Sequence, residues 1–287
     1  MLSKYVRAPH VIVGSCLASA AFLIVSIHPF TGLQLAAQQA PAGAGTHAAQ
    51  ASQGGGFTQP EPIDFDDHDG WVQIFDGKTL KGWDGSPEVW HVEDGAIVGE
   101  SSPEHPSGTT NIIWRGGEPA NFELKVEMKL EGPDANGGIQ YRSINVPPAP
   151  QQALTQKYAK WNMKGYQADF DYANRYTGQL YEQGTRRGIV AWRGQMVETG
   201  QGKEPRLLAT LGTSDELKAF IKPGDWNQYE VIADGNSLIH IVNGHVMAIL
   251  VDNDPTFSQS KGLIGFEIEG GGVVKISQRN VWLKQLP

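Results

Sequence analysis

Apolar and polar residues alternate along most of the chain beyond residue 62, in short runs separated by turn residues. The clearest run, FELKVEMKL at 122–130, places its apolar side chains on one face of a strand and its charged side chains on the other. Comparable runs recur up to the C-terminal segment VVKISQRNVWLKQL. Because period-two alternation is typical of strands with one buried face, the pattern predicts an all-β domain at 62–287.

Turn dipeptides between these runs predict how the strands are connected. Residue pairs that favour positive φ, and therefore tight hairpins, are Asp94-Gly95, Asn136-Gly137, Asp234-Gly235 and Asn243-Gly244. Hairpins join antiparallel strands, so we predict a jelly-roll β-sandwich of two antiparallel sheets. One short peripheral helix is predicted at 213–220, since Thr213 can cap it and Pro223-Gly224 can stop it.

The N-terminal region has a different composition. Basic residues Lys4 and Arg7 precede a mostly apolar stretch at 11–27 and a run of small residues, which is the layout of a secretory signal peptide. Residues 38–61 are rich in Ala, Gly, Gln and Ser, as flexible linkers are. We therefore predict a signal peptide at 1–37, a linker at 38–61 and a periplasmic or secreted protein. If the apolar stretch were not cleaved, it would act as a membrane anchor.

Charge and cysteine content exclude several kinds of function. The net charge of −8 disfavours nucleic acid as a partner, because binding to phosphates requires cationic side chains. Cys16 is the only cysteine and lies in the predicted signal peptide, so the mature chain has no disulfide and no thiolate nucleophile. The sequence also contains no G-x-S-x-G and no H-E-x-x-H motif. An uncharged substrate fits this composition better.

Two strand-like stretches carry unusually polar faces. In NGGIQYRS (136–143), alternation places Gln140 and Arg142 on one face, where the arginine could bind a developing oxyanion. In GYQADFD (165–171), Gln167, Asp169 and Asp171 share a face, although Asp is depleted from strands. These faces indicate either a cleft or solvent-exposed strands.

A third stretch, YTGQLYEQGTRRG at 176–188, combines aromatic rings with opposite charges. The side chains that could contact sugar rings and hydroxyls are Tyr181, Glu182, Arg186 and Arg187; alternatively, an arginine and Glu182 could form a structural ion pair. Trp192 is a candidate sugar platform, and His105, in the loop SSPEHPSG, is a candidate at the rim of a site. The acidic run DFDDHDG (64–70) could bind calcium, but its spacing does not match an EF-hand, which favours a solvated turn.

Taken in order, these segments resemble the 3-keto-disaccharide hydrolase family over about residues 66–286. The stretches that carry the resemblance are WVQIFDGKTLKGWDG, WHVEDGAIVGE, NGGIQYRS, GYQADFD, TGQLYE, WNQYEVIADGNSLIHIVNG and GLIGFEIEGGG. The resemblance implies a concanavalin A-like jelly roll, export, and cleavage of glycosides whose sugar carries a ketone at C3. It also implies an upstream sugar 3-oxidoreductase that supplies this ketone.

The chemistry that the resemblance implies assigns roles to the polar residues. A C3 ketone acidifies the C2 proton, so a base can remove it, the C1 substituent leaves by β-elimination, and water then adds. This route needs a base, an acid and an oxyanion stabiliser. We expect Asp169 and Glu182 as base and acid in either order, and Arg142 as the stabiliser. The residues expected to bind the substrate are Gln140, Gln167, Tyr181, Arg186, Trp192 and His105.

Two other functions remain open at this point. A lectin-like carbohydrate-binding module would have the same fold without a base, and a conventional glycosidase would act on unoxidised sugars. Catalysis requires the carboxylates and Arg142 to converge on one pocket, and a divalent metal ion acting as a Lewis acid is compatible with it.

Overall fold

The computed structural model describes residues 64–146 and 157–287. The predicted signal peptide, the linker and residues 62–63 of the predicted domain lie outside the described residues, so these assignments stay predictions. In the described part, no helix has both the length and the apolar character needed to cross a membrane.

The described chain folds into strands with very little helix. In chain order the strands are β1 (Val72–Gln73), β2 (Trp83–Asp84), β3 (Trp90–Glu93), β4 (Ala96–Ser101), β5 (Thr110–Trp114), β6 (Phe122–Glu131), β7 (Asn136–Asn145), β8 (Met163–Asp171), β9 (Leu180–Gln183), β10 (Gly188–Ala191), β11 (Gln195–Gly200), β12 (Lys203–Thr210), β13 (Asn227–Asp234), β14 (Ser237–Val242), β15 (His245–Asn253), β16 (Leu263–Glu269) and β17 (Val274–Gln285). A 3-10 turn covers Ala159–Trp161, and helix α1 covers Ser214–Lys218.

These strands form two packed sheets. The larger has ten strands in the order β12-β11-β15-β14-β13-β6-β17-β4-β3, with β1 beside β17, and the smaller has seven in the order β10-β9-β8-β7-β16-β5-β2. All pairs are antiparallel except β11 with β15. Aromatic contacts such as Phe170 with Tyr229 join the facing sheets across the core. The predicted all-β fold of two antiparallel sheets, a jelly-roll β-sandwich, is confirmed.

Local sequence signals explain several of these elements. In β6, Phe122, Leu124 and Val126 are fully buried, as the alternation predicts. The exception on its outer face is Lys125, whose buried Nζ donates to the backbone carbonyls of Asp64, Phe65 and Asp67 at 2.9, 3.0 and 2.8 Å. The acidic run at 64–70 therefore presents backbone carbonyl groups to a lysine on the outer face of β6. Helix α1 forms where predicted, with a capping box between Thr213 and Glu216.

One predicted turn is wrong. Asn136-Gly137 begins β7 instead of forming a hairpin. The glycine is required there because a Cβ at Gly137 would lie 2.1 Å from the carbonyl oxygen of Glu267 on the neighbouring strand. Glycine inside a strand often marks such a close backbone approach, so the dipeptide reflects packing between β7 and β16.

Candidate active site

A cleft of about 410 Å³ opens on the outer face of the seven-stranded sheet. Its lining combines acids, amides and aromatic rings: Asn136, Gln167, Asp169, Tyr176, Gln179, Tyr181, Gln183, Ile189, Trp192 and Glu269. Among these described residues there is no lysine, arginine or histidine. This volume lies in the usual range for small-molecule sites, and the lining suits a ligand without negative charge.

Strand register explains why these side chains meet. Directly paired residues of antiparallel strands point to the same face, and so do residues two apart along one strand. Asp169 pairs with Gly138, which in turn pairs with Glu267. Gln167 pairs with both Gln140 and Tyr181 in the next row. The polar face predicted from GYQADFD is therefore continued by β7, β9 and β16.

Asp169 is the most perturbed acid among the residues that line the cleft. Burial raises the pKa of its carboxyl to about 8, and the neighbouring acids Asp171 and Glu269 add to this effect. The side-chain amide of Gln179 donates to Asp169 and opposes the shift. The group is therefore about one-tenth ionised at pH 7 and half-ionised near pH 8, so it can serve as a general base or acid close to neutral pH.

Glu267 lies beneath the cleft and is almost fully buried. It accepts hydrogen bonds from the side-chain amides of Gln167 and, at 2.9 Å, Gln183. Gln167 reaches it across Gly138, where a Cβ would come within 3.0 Å of the Gln167 side chain. Burial raises the pKa of Glu267 well above its usual value, with Glu269 and Asp169 adding repulsion. Glu267 thus holds two amides that line the cleft.

The cleft floor is also supported from the core. His240 is fully buried, and its Nδ1 lies 3.1 Å from the carbonyl oxygen of Gln179, while its Nε2 lies 2.9 Å from the hydroxyl of Tyr141. A carbonyl only accepts, so Nδ1 carries the proton and Nε2 accepts from Tyr141. The Tyr229 hydroxyl donates to the carbonyl of Asp169 at 3.3 Å. The backbone on both sides of the Asp169–Gln179 contact is therefore fixed.

His240 should make folding stability depend on pH. Burial lowers its pKa from 6.5 to about 4, although hydrogen bonds to the backbone of Gln179 and Gly178 oppose the shift. As the pH falls, His240 therefore becomes protonated below about pH 6.5 in the unfolded chain, but only below about pH 4 in the folded protein. We expect His240 to cost about 2 kcal/mol of stability between pH 7 and pH 5, a cost that His240→Asn removes. Urea unfolding of both proteins at the two pH values measures it, and parallel pH slopes would contradict it.

Four predicted site residues lie at the cleft. Asp169, Gln167, Tyr181 and Trp192 line it, and Trp192 is 48% exposed at its rim. Gln140 lies on the same face but is completely buried, where its Oε1 accepts from Ser143. These placements agree with the face predicted by alternation, while the roles of the side chains stay predictions.

Glu182 does not join them. It pairs in register with Tyr166 on the inner face of the sheet, opposite to Asp169. Its carboxylate accepts hydrogen bonds from Arg187 and Thr185. Arg187 also forms an ion pair with Asp252 of the other sheet, with 2.6 Å between Arg187 Nη2 and Asp252 Oδ2. The expected use of Glu182 as acid or base is therefore incompatible with this position, since a buried ion-pair network occupies it.

Arg142 also lies elsewhere. A register shift in β7 between Tyr141 and Ile144, with φ of 44° at Arg142, breaks the alternation on which the prediction was based. Its buried guanidinium donates to the carbonyls of Ala120 and Gly235 at 2.8 and 2.7 Å. Arg142 therefore organises loops at the edge of the sandwich, and the predicted convergence with Asp169 and Glu182 is wrong.

Two further residues predicted to bind the substrate lie in depressions outside the cleft. His105 lies in a depression with Glu88 and Lys275 that shares no residue with the cleft. Arg186 lines a neighbouring pocket of about 520 Å³, which meets the cleft at Ile189, and its guanidinium stacks on Phe257 at 5.1 Å. His105 is thus not at the rim of the cleft, and Arg186 lies one pocket away.

Sequence reasoning missed Glu267 and Glu269. The run GLIGFEIE alternates just as GYQADFD does, and it places both glutamates on one face. The sequence therefore contains the signal that identifies a polar strand face at these two glutamates. Within residues 64–146 and 157–287, no group of three or more His, Cys, Asp or Glu side chains is arranged to hold a metal ion.

Comparison with known proteins assigns the family. The model of the 3-keto-alpha-glucoside-1,2-lyase-like domain matches residues 70–284. The chain belongs to this family. A curated relative from Bacteroides thetaiotaomicron, named 3-keto-disaccharide hydrolase, is 38% identical over 87 residues, which are 28% of this chain and 30% of the relative. The aligned region spans less than a third of that relative, and the family predicted from the sequence is confirmed.

Solved structures resemble this chain at low sequence identity and with TM-scores below 0.5. A Parabacteroides distasonis protein assigned as a glycosyl hydrolase is 20% identical with a TM-score of 0.47, over 76% of this chain and 95% of that chain. The carbohydrate-binding module CBM66 of Bacillus subtilis is 14% identical with a TM-score of 0.43, over 75% and 96%. The family assignment rests on the sequence match. Membership supports a glycoside-cleaving function and a carbohydrate substrate.

Proposed function

We propose that this protein hydrolyses 3-keto-glycosides in the cleft, with Asp169 as the base. Asp169 takes the proton from C2, and the C–H electron pair forms an enolate whose charge rests on the C3 oxygen. The enolate then expels the C1 substituent, which gains a proton and leaves as an alcohol. Water adds across the C1–C2 double bond, with its hydroxyl at C1 and its proton at C2. The net change is hydrolysis of the glycosidic bond.

The position and pKa of Asp169 carry this proposal. Its carboxyl lines the cleft, and burial holds its pKa at about 8. A base of that strength matches the weakly acidic proton next to a ketone better than an ordinary aspartate does, because proton transfer is most efficient between groups of similar pKa. Desolvation also keeps water from competing for the charge.

Neutral donors suit the remaining steps. Burial raises the pKa of Tyr181, so its hydroxyl keeps its proton at neutral pH and can donate to the C3 oxygen or to the leaving oxygen. The side-chain amides of Asn136, Gln167 and Gln183 surround the same space. Tyr176 and Trp192 offer flat apolar faces for a sugar ring. We assign the sugar to the space between these groups.

A matched pair of substrates tests the proposal. We expect release of the aglycone from a 3-keto-glucoside and none from the corresponding glucoside, with little change on addition of a chelator. Equal release from both would indicate a conventional glycosidase. Binding of both sugars without release would indicate a carbohydrate-binding module, and either result would overturn the proposal.

Export is also part of the proposed function. The basic, apolar and small-residue segments at 1–37 support a secretory signal, which would place the protein outside the cytoplasm. The C3 ketone of the substrate must come from oxidation of a sugar hydroxyl, so an oxidoreductase acts before this protein. Cell fractionation tests the location, with a chain that lacks residues 1–37 expected to stay in the cytoplasm.

A further inference from the structure

Glu267 is a buried acid with only amide partners. Gln167 of β8 and Gln183 of β9 donate to its two carboxyl oxygens, and Asn111 of β5 pairs with it in register. The titratable groups that face it from β8 and from β16 are Asp169 and Glu269, and both are acids. Within the described chain it forms no ion pair. Nothing nearby compensates a negative charge on Glu267.

The other deeply buried glutamate shows the opposite environment. Glu182 and Glu267 are equally buried, with 1% of the surface of each residue exposed, but Glu182 is paired with Arg187. A buried carboxylate is stable beside a guanidinium and costly without one, so an isolated acid keeps its proton. The two buried glutamates therefore differ in whether a cation faces the carboxyl group.

We propose that Glu267 is a positioning residue that stays uncharged and holds Gln167 and Gln183 in place, so that Asp169 can ionise without a second charge behind it. This inference rests on the proposed function for the identity of the reaction. The effect of Glu267 on Asp169 follows from strand register. Asp169, Gly138 and Glu267 lie in one row across three strands, so the Cα atoms of the two acids are about 10 Å apart. Paired acids with different environments commonly divide their roles in this way.

Conservative and apolar variants separate positioning from direct catalysis. Glu267→Leu removes the acceptor for both glutamines, and we expect kcat/KM for a 3-keto-glucoside to fall about 10–100-fold, as for other supporting hydrogen-bond partners. Glu267→Gln keeps a neutral polar group of the same shape and one of the two acceptor oxygens, so it should recover part of that loss, and kcat/KM should still rise with pH up to about pH 8. Equal losses in both variants would overturn the proposal.

A substrate-independent measurement decides the charge state. At about pH 9.5, where Asp169 is ionised, the infrared carbonyl band of a protonated carboxyl should persist in the wild type and in Glu182→Gln, and disappear in Glu267→Gln. The melting temperature should fall by about 10 °C in Glu182→Gln and by no more than a few degrees in Glu267→Gln. A wild type without the band contradicts the inference. Failure to cleave the 3-keto-glucoside would refute the proposed function alone, because the band and the melting temperatures do not depend on substrate.

Discussion

Asp169→Asn should lower kcat on a 3-keto-glycoside by about 10²–10⁴-fold while making the protein more stable. Loss of a general base typically costs this much in rate. The folded-state pKa of about 8 lies far above the ordinary aspartate value of 3.8, so the folded protein holds a proton that the unfolded chain releases between about pH 4 and pH 8. The free energy of unfolding of the wild type therefore falls as the pH rises from about 4 to 8. The variant does not show this loss, because asparagine has no carboxyl group to ionise.

Kinetics and melting curves at several pH values measure both effects. The wild-type kcat/KM should rise with pH and level off above about pH 8, because only the ionised carboxyl accepts a proton. At pH 8 the variant should melt at least about 5 °C higher than the wild type. Asp171→Asn is the matched control, since the Asp171 carboxylate accepts from the backbone N–H groups of Tyr176 and Thr177 and its loss should destabilise. An active or less stable Asp169→Asn protein would refute the role of Asp169.

The second large effect concerns the ion pairs that join the sheets. Arg187 binds Glu182 of the smaller sheet and Asp252 of the larger one, and Thr199 and Tyr166 donate to the same Asp252 carboxylate at 2.6 and 2.5 Å. Burial alone would raise the pKa of Asp252, but these hydrogen bonds outweigh it and leave the pKa lowered. Arg187→Met would leave two buried carboxylates without a cation, so we expect a loss of about 3–5 kcal/mol.

Urea unfolding of Arg187→Met and Arg186→Met tests this expectation. Arg186 is the adjacent arginine, exposed and stacked on Phe257 without an ion pair in the described chain, so its replacement should change stability by no more than about 0.5 kcal/mol. Both guanidinium groups lie 5.1 Å from the Phe257 ring, so similar losses in the two variants would show that stacking on Phe257, and not the buried ion pairs, provides the stability.

Much of the fold could be predicted because one face of each main strand is buried. The alternation in β6 reports this burial directly, and the cap at Thr213 reports the start of α1. Strand β12 was missed, since all of its residues are exposed and KEPRLLAT has no alternation to detect. The Asn136-Gly137 error has a different origin, because a close approach between neighbouring strands leaves no local signal that differs from a turn.

The candidate site was predicted only as far as alternation continued. Gln167 and Asp169 were found because they lie two apart on an unbroken strand. Arg142 was misplaced by a register shift, and Glu182 was misplaced because its partner network includes Asp252, which is distant in sequence. Contacts between distant segments decide which polar residue faces a ligand and which one holds the sheets together, and a single sequence does not reveal them.

Deuterium incorporation at C2 tests the central claim most directly. A 3-keto-glucoside is incubated with the protein in D₂O, and the C2 position of recovered substrate and product is followed by NMR. We predict that the wild type introduces deuterium at C2 and that Asp169→Asn does so at least about 100-fold more slowly. Cleavage that leaves the original C2 hydrogen in place would contradict proton abstraction by Asp169.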